Sequence, residues 1–379
     1  MLSPIEPSRD VRALREVLDL PVVAPAPNKV AVLLNRNARR VDDALATRIE
    51  RIVGKENLYY SRTLEEAEGF AREIVQRGYG TVVCGGGDGT LVQAVNLVLR
   101  YIDEANAWRV QRFRRFGERQ TLLGKPRFAF LPLGTGNAVR GLVGATNPLD
   151  DLRRVVDYVP SRTTRVPLIE LDGERFFFAG LGYDSLILND YNGLKQHAKH
   201  PLVKPMMQNV LGYFAAIFSR TLPSVLTGRA GKLSVRVTNA GEGFYVDPRR
   251  GDFAQPLETG AAIFEGPATF VGVGTMPFYG YGFKMFPFAG MMPGKMHLRV
   301  GRIGPFRTLA HLPSFWKGSF RDPNRVFDFL VDHVRIELDR PFPFQHSGDA
   351  QGERTELDLR VSPEAVELID LHRPRQLTF

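Results

Sequence analysis

Thr81-Val82-Val83-Cys84-Gly85-Gly86-Gly87-Asp88-Gly89-Thr90 runs from β-branched residues into glycines and a single carboxylate, and an apolar-periodic stretch follows from Leu91. Such a stretch reads as a strand, a tight turn and a helix. Glycine lets the backbone take positive φ and approach a bulky anion, and the first free amides of the helix then point at that anion. The segment is therefore a candidate phosphate-binding turn. Asp88 has two readings. It is a simple helix cap, or it is a carboxylate placed beside phosphate to hold a metal ion or take a proton from an attacking hydroxyl.

A second element of the same kind, Leu131-Pro132-Leu133-Gly134-Thr135-Gly136-Asn137, follows the apolar run Phe128-Ala129-Phe130. Two such turns on neighbouring strands line one crevice, where open α/β sheets bind ligands. Outward from them, strands are expected at Val30 to Leu34, Leu58 to Ser61, Thr81 to Cys84 and Phe128 to Leu131, alternating with helices at Asp42 to Ile52, Leu64 to Arg77, Leu91 to Ala105 and Leu149 to Val159. Strands separated by helices imply a parallel sheet covered on both faces.

Beyond residue 160 the period changes. Val166 to Leu171, Arg175 to Ala179, Lys232 to Val237, Ala268 to Val273, Met296 to Val300, Val334 to Leu338, Glu356 to Val361 and Ala365 to Leu371 are short alternating runs broken by Gly and Pro, the pattern of an antiparallel β domain. A helical excursion is expected from Tyr191 to Ser219. The fold class is thus α/β: an N-terminal doubly wound, Rossmann-like parallel-sheet domain (residues 28–160) behind an arm (1–27), then a C-terminal antiparallel β-sandwich domain (161–379).

The paired turns resemble those of the diacylglycerol-kinase-like lipid kinases, which include bacterial diacylglycerol kinases and the sphingosine and ceramide kinases. Gly86 to Thr90, the following helix with Asn96, and Pro132 to Asn137 are similar to this family and unlike NAD kinase. Val30 to Asn35 resembles its opening strand, Tyr60-Ser61 its second strand, Gly180-Leu181-Gly182-Tyr183-Asp184 its substrate-side aspartate motif, and Ser347-Gly348-Asp349-Ala350-Gln351-Gly352-Glu353 its closing acidic motif. The resemblance spans about residues 28 to 370. It implies that ATP phosphates lie against Gly86, Gly87, Gly89 and Thr90, with Gly134, Thr135 and Gly136 opposite and Asn35 and Ser61 as further nucleotide contacts. Magnesium bridges the phosphates, and Asp88 is both metal ligand and first choice of catalytic carboxylate. Asp184 faces the lipid head group, its alternative being a turn aspartate, and residues 161–379 form the lipid-substrate domain.

The chain also departs from the family. The closing motif reads Asp-Gly-Glu there, the glutamate serving as proposed base. Here Asp349 matches, but Ala350 and Gln351 follow and Glu353 lies two residues further on. Either Glu353 substitutes through a shifted loop, or Asp88 is the base alone, or catalysis is weak, and Asp349 and Glu353 stand with Asp88 as catalytic candidates. Pro293, within Met291 to Lys295, replaces an aspartate, so a structural magnesium is not carried over. Ala138 replaces a further aspartate.

The 379 residues suffice for two cores, and 44% apolar with 24% charged residues is ordinary globular composition. The one cysteine, Cys84, excludes an internal disulfide and fits a reducing compartment. Met1 to Asp19 lacks the continuous apolar core of a secretory signal, and the longest uncharged stretch, Gly266 to Phe283, carries five glycines and two prolines, too broken to span a bilayer as a helix. A cytoplasmic protein that meets membranes from the surface is expected.

The net charge of +9 raises nucleic acid or anionic membrane as partners. Arg109, Arg112, Arg114, Arg115, Arg119, Lys125 and Arg127, with Trp108, Phe113 and Phe116 between them, form either a solvated helix or loop face or a membrane contact across 108–127. No nucleic-acid motif is present, so none is expected as partner. The seven histidines lack zinc-ligand spacing, and there is no Gly-x-Ser-x-Gly elbow. The resulting expectation is an ATP- and Mg2+-dependent kinase acting on a hydroxyl of diacylglycerol or a related lipid alcohol such as a sphingoid base. The alternatives are a kinase of a soluble substrate, NAD kinase-like, and a weak or silent nucleotide- or lipid-binding regulator. Oligomeric state is open, a homodimer being one option.

Overall fold

A computed structural model describes residues 20–158, 162–182, 233–248, 251 and 253–372. These form two compact units: one of residues 20–134, 143–158, 162–165 and 366–372, the other of 135–142, 166–182, 233–248, 251 and 253–365. The expected helix at Tyr191 to Ser219 and the candidate Asp184 lie outside the described residues.

The first unit is built on β2 (Ala26–Asn35), β3 (Leu58–Ser61), β4 (Tyr79–Gly86) and β6 (Arg127–Pro132). All pair in parallel, in the spatial order β6-β4-β2-β3. Parallel strands buried on both faces read as unbroken apolar runs, and Ala31, Val32, Leu34, Val82, Val83, Phe128 and Phe130 are all buried. The helices α1 (Asp43–Val53), α2 (Leu64–Gln76), α3 (Asp88–Phe116) and α4 (Pro148–Tyr158) complete the alternation. Their starts follow capping chemistry: the Asp42 side chain accepts from Leu45 N–H at 2.7 Å and that of Thr63 from Glu66 N–H at 3.2 Å.

The strand order reverses between β2 and β4: the chain steps from β2 to β3 on one side, then to β4 on the other. The crevice at the carboxyl ends of those two strands is the ligand position of an open α/β sheet.

Helix α3 runs 29 residues, eleven beyond the end expected at Ala105. Its continuation keeps one apolar side, Val110 and half-buried Phe113, packed on Leu20 and Leu122. Asn106 clamps that end, donating to Leu123 C=O at 3.0 Å and accepting from Leu123 N–H at 2.7 Å. Leu123 belongs to β5 (Leu122–Leu123), which pairs in parallel with β1 (Val22–Val23). A stripe this narrow, diluted by four arginines, does not raise the helical period above its neighbours.

The second unit is antiparallel throughout. Its strands are β7 (Thr163–Leu171, from Val166), β8 (Glu174–Phe176), β9 (Phe178–Gly182), β10 (Leu233–Asn239), β11 (Gly243–Val246), β12 (Phe253–Leu257), β13 (Ala262–Ala268), β14 (Phe270–Gly274), β15 (Met296–Gly301), β16 (Val326–Val331), β17 (His333–His346) and β18 (Asp349–Ile369, as far as Ala365). One leaf runs β12-β11-β16-β15-β14-β9 to the second half of β17. The other runs β13-β10 to its first half.

Strand β17 changes leaf where its register with β18 jumps between Glu337 and Phe342, across Asp339-Arg340-Pro341. An irregularity of this kind is how a strand turns the corner between packed sheets. Ala179, Leu181, Val271 and Val273 of one leaf line a small void with Ile336, Leu357 and Leu359 of the other, and the rings of Phe264 and Phe327 meet across the leaves at 5.5 Å. The two strands expected at Glu356 to Val361 and Ala365 to Leu371 are one, β18, whose Leu368 pairs with Phe128 at the edge of the first unit's sheet. Pro363 did not end it, and the Ser362 hydroxyl accepts from Glu364 N–H at 3.2 Å beside it.

Candidate functional site

In the first unit the carboxyl ends of the parallel strands are the candidate residues themselves: Asn35 closes β2, Ser61 closes β3, Gly86 closes β4 and Pro132 closes β6. Asn35 and Ser61 are register partners. Asn35 reaches across the switch point, its amide donating to the Thr90 hydroxyl at 3.0 Å while its carbonyl oxygen accepts from Asn37 N–H at 2.9 Å. One side chain thus ties the end of β2 to the turn after β4.

That turn has no room for a side chain at its second glycine. A Cβ on Gly86 would lie 2.4 Å from the Thr90 hydroxyl and 2.6 Å from its Cβ. The Gly86 carbonyl accepts from both Leu133 N–H at 2.9 Å and Gly134 N–H at 2.8 Å, which locks the first phosphate element to the second. Gly87 is the N-cap of α3 without a side-chain hydrogen bond, and Asp88 is its first residue. The capping reading of Asp88 is thereby set aside, because the glycine holds that place. Asp88 is 8% exposed. It sits with Gly89 and Thr90 in the first turn, whose amides have no carbonyl of the helix to bind and form the positive end of its dipole. Cys84 is buried on β4, and desolvation pushes its thiol far above the ordinary range, which makes it inert.

The residues present suit a nucleotide. A Cβ-free turn at a helix N-terminus takes a phosphate chain. Among the described residues no cluster of three His, Cys, Asp or Glu could hold a metal unaided. Magnesium keeps its waters and is bound through one or two carboxylates plus substrate phosphates. Asp88 is the carboxylate at hand.

In the second unit, Thr135, Gly136 and Asn137 lead into a short helix (Ala138–Val143). Gly136 C=O accepts from Tyr281 N–H at 2.8 Å. From the same loop, the Tyr279 hydroxyl bonds the Gln345 amide, and the Tyr279 ring packs at 4.7 Å on Phe178. The loop therefore joins Thr135 to Asn137 with the end of β17, where the closing acidic motif lies. Sequence reading passed over Tyr279, Tyr281 and Gln345; the only signal was the aromatic-glycine run Tyr279-Gly280-Tyr281-Gly282.

The closing motif is the tip of a hairpin. Ser347 and Gly348 both take positive φ, +48° and +86°, which makes a type I′ turn between the paired His346 and Asp349. Gly348 N–H donates to the Gln345 side chain at 3.0 Å. Two residues further on the register slips: Gln345 faces Ala350 but Pro343 faces Glu353. The extra residue, at Gln351-Gly352 with Gly352 at φ +76°, turns Glu353 to the face opposite Asp349. The fold does not bring these two carboxylates together. Asp349 is solvent-accessible at the tip, yet crowding by the surrounding strands raises its carboxyl above the ordinary value. In Met291 to Lys295, where Pro293 stands, the Lys295 ammonium bridges Glu242 at 2.5 Å and Asp332 at 2.7 Å.

His346 stacks on Phe176 with ring centroids 4.6 Å apart, and its Nδ1 is buried with no hydrogen-bond partner among the described residues. Burial pushes its imidazolium down to about 4 from an ordinary 6.5. The native state therefore refuses a proton that the unfolded chain accepts, so this contribution to stability is complete above pH 6.5 and lost as pH falls toward 4. We expect wild-type protein to lose about 2 kcal/mol more than His346→Phe between pH 7 and pH 5. Denaturant melts of both at the two pH values measure this, and an unchanged gap between them would show that His346 is already hydrated in the fold.

The comparisons with known proteins agree in kind. Residues 29–168 match the model of the diacylglycerol kinase catalytic domain. Three solved structures from Bacillus anthracis assigned as diacylglycerol kinases, two of them provisionally, superpose over 90% of this chain. They have TM-scores of 0.58, 0.55 and 0.56, identities of 17%, 16% and 18%, and coverage of 95%, 97% and 97% of their own lengths. At such identities the likeness is one of fold. A search of curated proteins finds no match.

Proposed function

Residues 29–168 belong to the diacylglycerol kinase catalytic domain family, and from that premise we propose that the chain is an ATP-dependent lipid kinase that phosphorylates a hydroxyl of diacylglycerol or a related lipid alcohol. The observation that carries this reading is the joint between the two glycine elements, in which the Gly86 carbonyl holds Leu133 and Gly134 while Asn35 holds Thr90.

In this reading the ATP phosphates lie on the amides of Gly87, Gly89 and Thr90, with Asn35 and Ser61 at the neighbouring strand ends and Gly134, Thr135 and Gly136 as further contacts. Bound magnesium neutralises charge on the transferring phosphoryl group. The acceptor's hydroxyl oxygen bonds to the γ-phosphorus, the bond from that phosphorus to the β-bridging oxygen breaks, and ADP leaves. The hydroxyl proton passes to the Asp88 carboxylate, held at the start of α3. Asp349 and Glu353, on opposite faces, cannot act as one pair, which favours Asp88 as the base. Asp349 is the closing-motif carboxylate, and Asp184 the head-group contact.

The test is an acceptor panel in matched detergent micelles: a diacylglycerol, a sphingoid base and a monoacylglycerol beside NAD, each with Mg-ATP. Phosphorylation of one or more lipids and not of NAD is expected. Transfer to NAD alone would replace this reading by a soluble-substrate kinase. Bound ATP with no acceptor used would replace it by a silent binder.

A further inference from the structure

The distal end of α3 carries a surface that neither nucleotide binding nor phosphoryl transfer uses. Between Trp108 and Arg127 the sequence has seven cations against one acid, Glu118. Arg109, Arg114, Arg115 and Arg119 have no carboxylate partner among the described residues, whereas Arg112 pairs with Glu118 at 2.6 Å. Arginines in a last helical turn suit the helix dipole, and that alone would explain Arg114 and Arg115. It does not explain the aromatics. Trp108 is 55% and Phe116 61% exposed. Of seven large apolar or aromatic side chains exposed among the described residues, four (Val22, Val23, Trp108 and Phe116) belong to this helix end and to β1 beside it.

The arrangement is built. The inner face of the overhang is fixed by Val110 and Phe113 on Leu20 and Leu122, and by the two hydrogen bonds of Asn106. Gly117, at φ +67°, closes the helix with its N–H on Phe113 C=O. Trp108, Arg112 and Arg115, spaced by four and three residues, share the opposite face. The Arg112 guanidinium lies 4.9 Å over the Trp108 ring and that of Arg115 5.4 Å over Phe116. Cations laid on exposed aromatic rings on one side of a supported helix suit a boundary that is apolar below and anionic above. Anionic headgroups take arginines, and indole and phenyl rings sit at headgroup level.

We propose that the distal end of α3, with Trp108, Phe116 and the arginines at 109, 112, 114, 115 and 119, docks on the surface of an anionic lipid bilayer. The inference rests on the lipid-kinase reading for its purpose, and its test does not use that activity. Without ATP or acceptor, protein is sedimented with vesicles of phosphatidylcholine alone and of phosphatidylcholine with phosphatidylglycerol, at low and high salt. The chains compared are wild type, Trp108→Ala/Phe116→Ala and Arg109→Gln/Arg114→Gln/Arg115→Gln, each checked by circular dichroism.

Wild type is expected to bind only the phosphatidylglycerol vesicles and to release at high salt, and each variant to bind on the order of tenfold or more weakly. Blue-shifted Trp108 emission on vesicles, read as wild type minus Trp108→Phe, gives a signal that loss of folding cannot mimic. Wild type that stays in solution, or variants that bind as wild type does, would overturn the proposal. So would charge-dependent binding of a short DNA duplex without vesicle binding, which would move the surface to nucleic acid. Vesicle binding by a chain that phosphorylates no lipid would leave this inference standing and remove the kinase.

Discussion

Asp88→Asn is expected to lower turnover on the lipid acceptor by two orders of magnitude or more while leaving the fold intact. The substitution keeps the size of the side chain at the first position of α3 and removes its ability to take a proton, a contribution of about 10²- to 10⁴-fold where a carboxylate is the base. Asp88 is not the helix cap; Gly87 is. Its replacement by the isosteric amide therefore leaves the cap residue itself unchanged, and a thermal midpoint within a few degrees of wild type is expected. ATP affinity should change little, because the amides of the turn remain. Turnover within about threefold of wild type would remove Asp88 from the chemistry, since even a weak general base contributes more.

The second large effect is on stability, at a place unrelated to nucleotides. On β15 and β16, Arg299 and Asp328 are register partners, fully buried. Arg299 donates from Nε at 2.6 Å to one oxygen of Asp328 and from Nη2 at 3.1 Å to the other. His297 Nε2 lies 2.8 Å from the first oxygen, and Phe288 N–H is 3.4 Å from its Nδ1. Burial lowers the His297 imidazolium, so the ring is neutral and donates through Nε2. Arg299 and His297 overcome the desolvation of Asp328 and hold its carboxyl well below the usual carboxylate range.

Asp328→Ala leaves a guanidinium in the core without its anion and should cost about 3–5 kcal/mol, measured by denaturant melts. The triple change His297→Leu/Arg299→Met/Asp328→Leu removes the charges together and should recover most of that loss. A triple variant as unstable as the single one would mean that packing volume, not an orphaned charge, sets the cost.

The sequence carried those parts of this molecule that depend on residues near one another along the chain. The apolar runs expected to end at Leu34, Ser61, Cys84 and Leu131 located all four parallel strands and the crevice at their ends. Gly86 was recognisable because its constraint is local: the Thr90 side chain, four residues on, occupies the space a Cβ would need. What was hidden depends on partners distant in sequence. The last turns of α3 exist because Leu20 and Leu122 cover Val110, and neither is visible from the helix. Val326–Val331 went unread as a strand since Asp328 breaks its apolar run, and only Arg299 and His297 opposite make that carboxylate tolerable. The single residue of slip at Gln351-Gly352 decides which face Glu353 takes, and residue types alone do not announce a bulge. The Tyr279–Gln345 bond joins a loop to the end of β17 across 66 residues of sequence.

The central claim is phosphoryl transfer from ATP to a lipid by way of Asp88. Its most direct test is incubation of the purified chain with γ-labelled ATP, magnesium and lipids extracted from the host, followed by partition into organic solvent, with Asp88→Asn alongside. Label in the organic phase with wild type and its loss with Asp88→Asn are expected, the mass of the labelled species naming the acceptor. No label in that phase, with ATP bound by both proteins, would contradict the account and leave a nucleotide-binding protein without this chemistry.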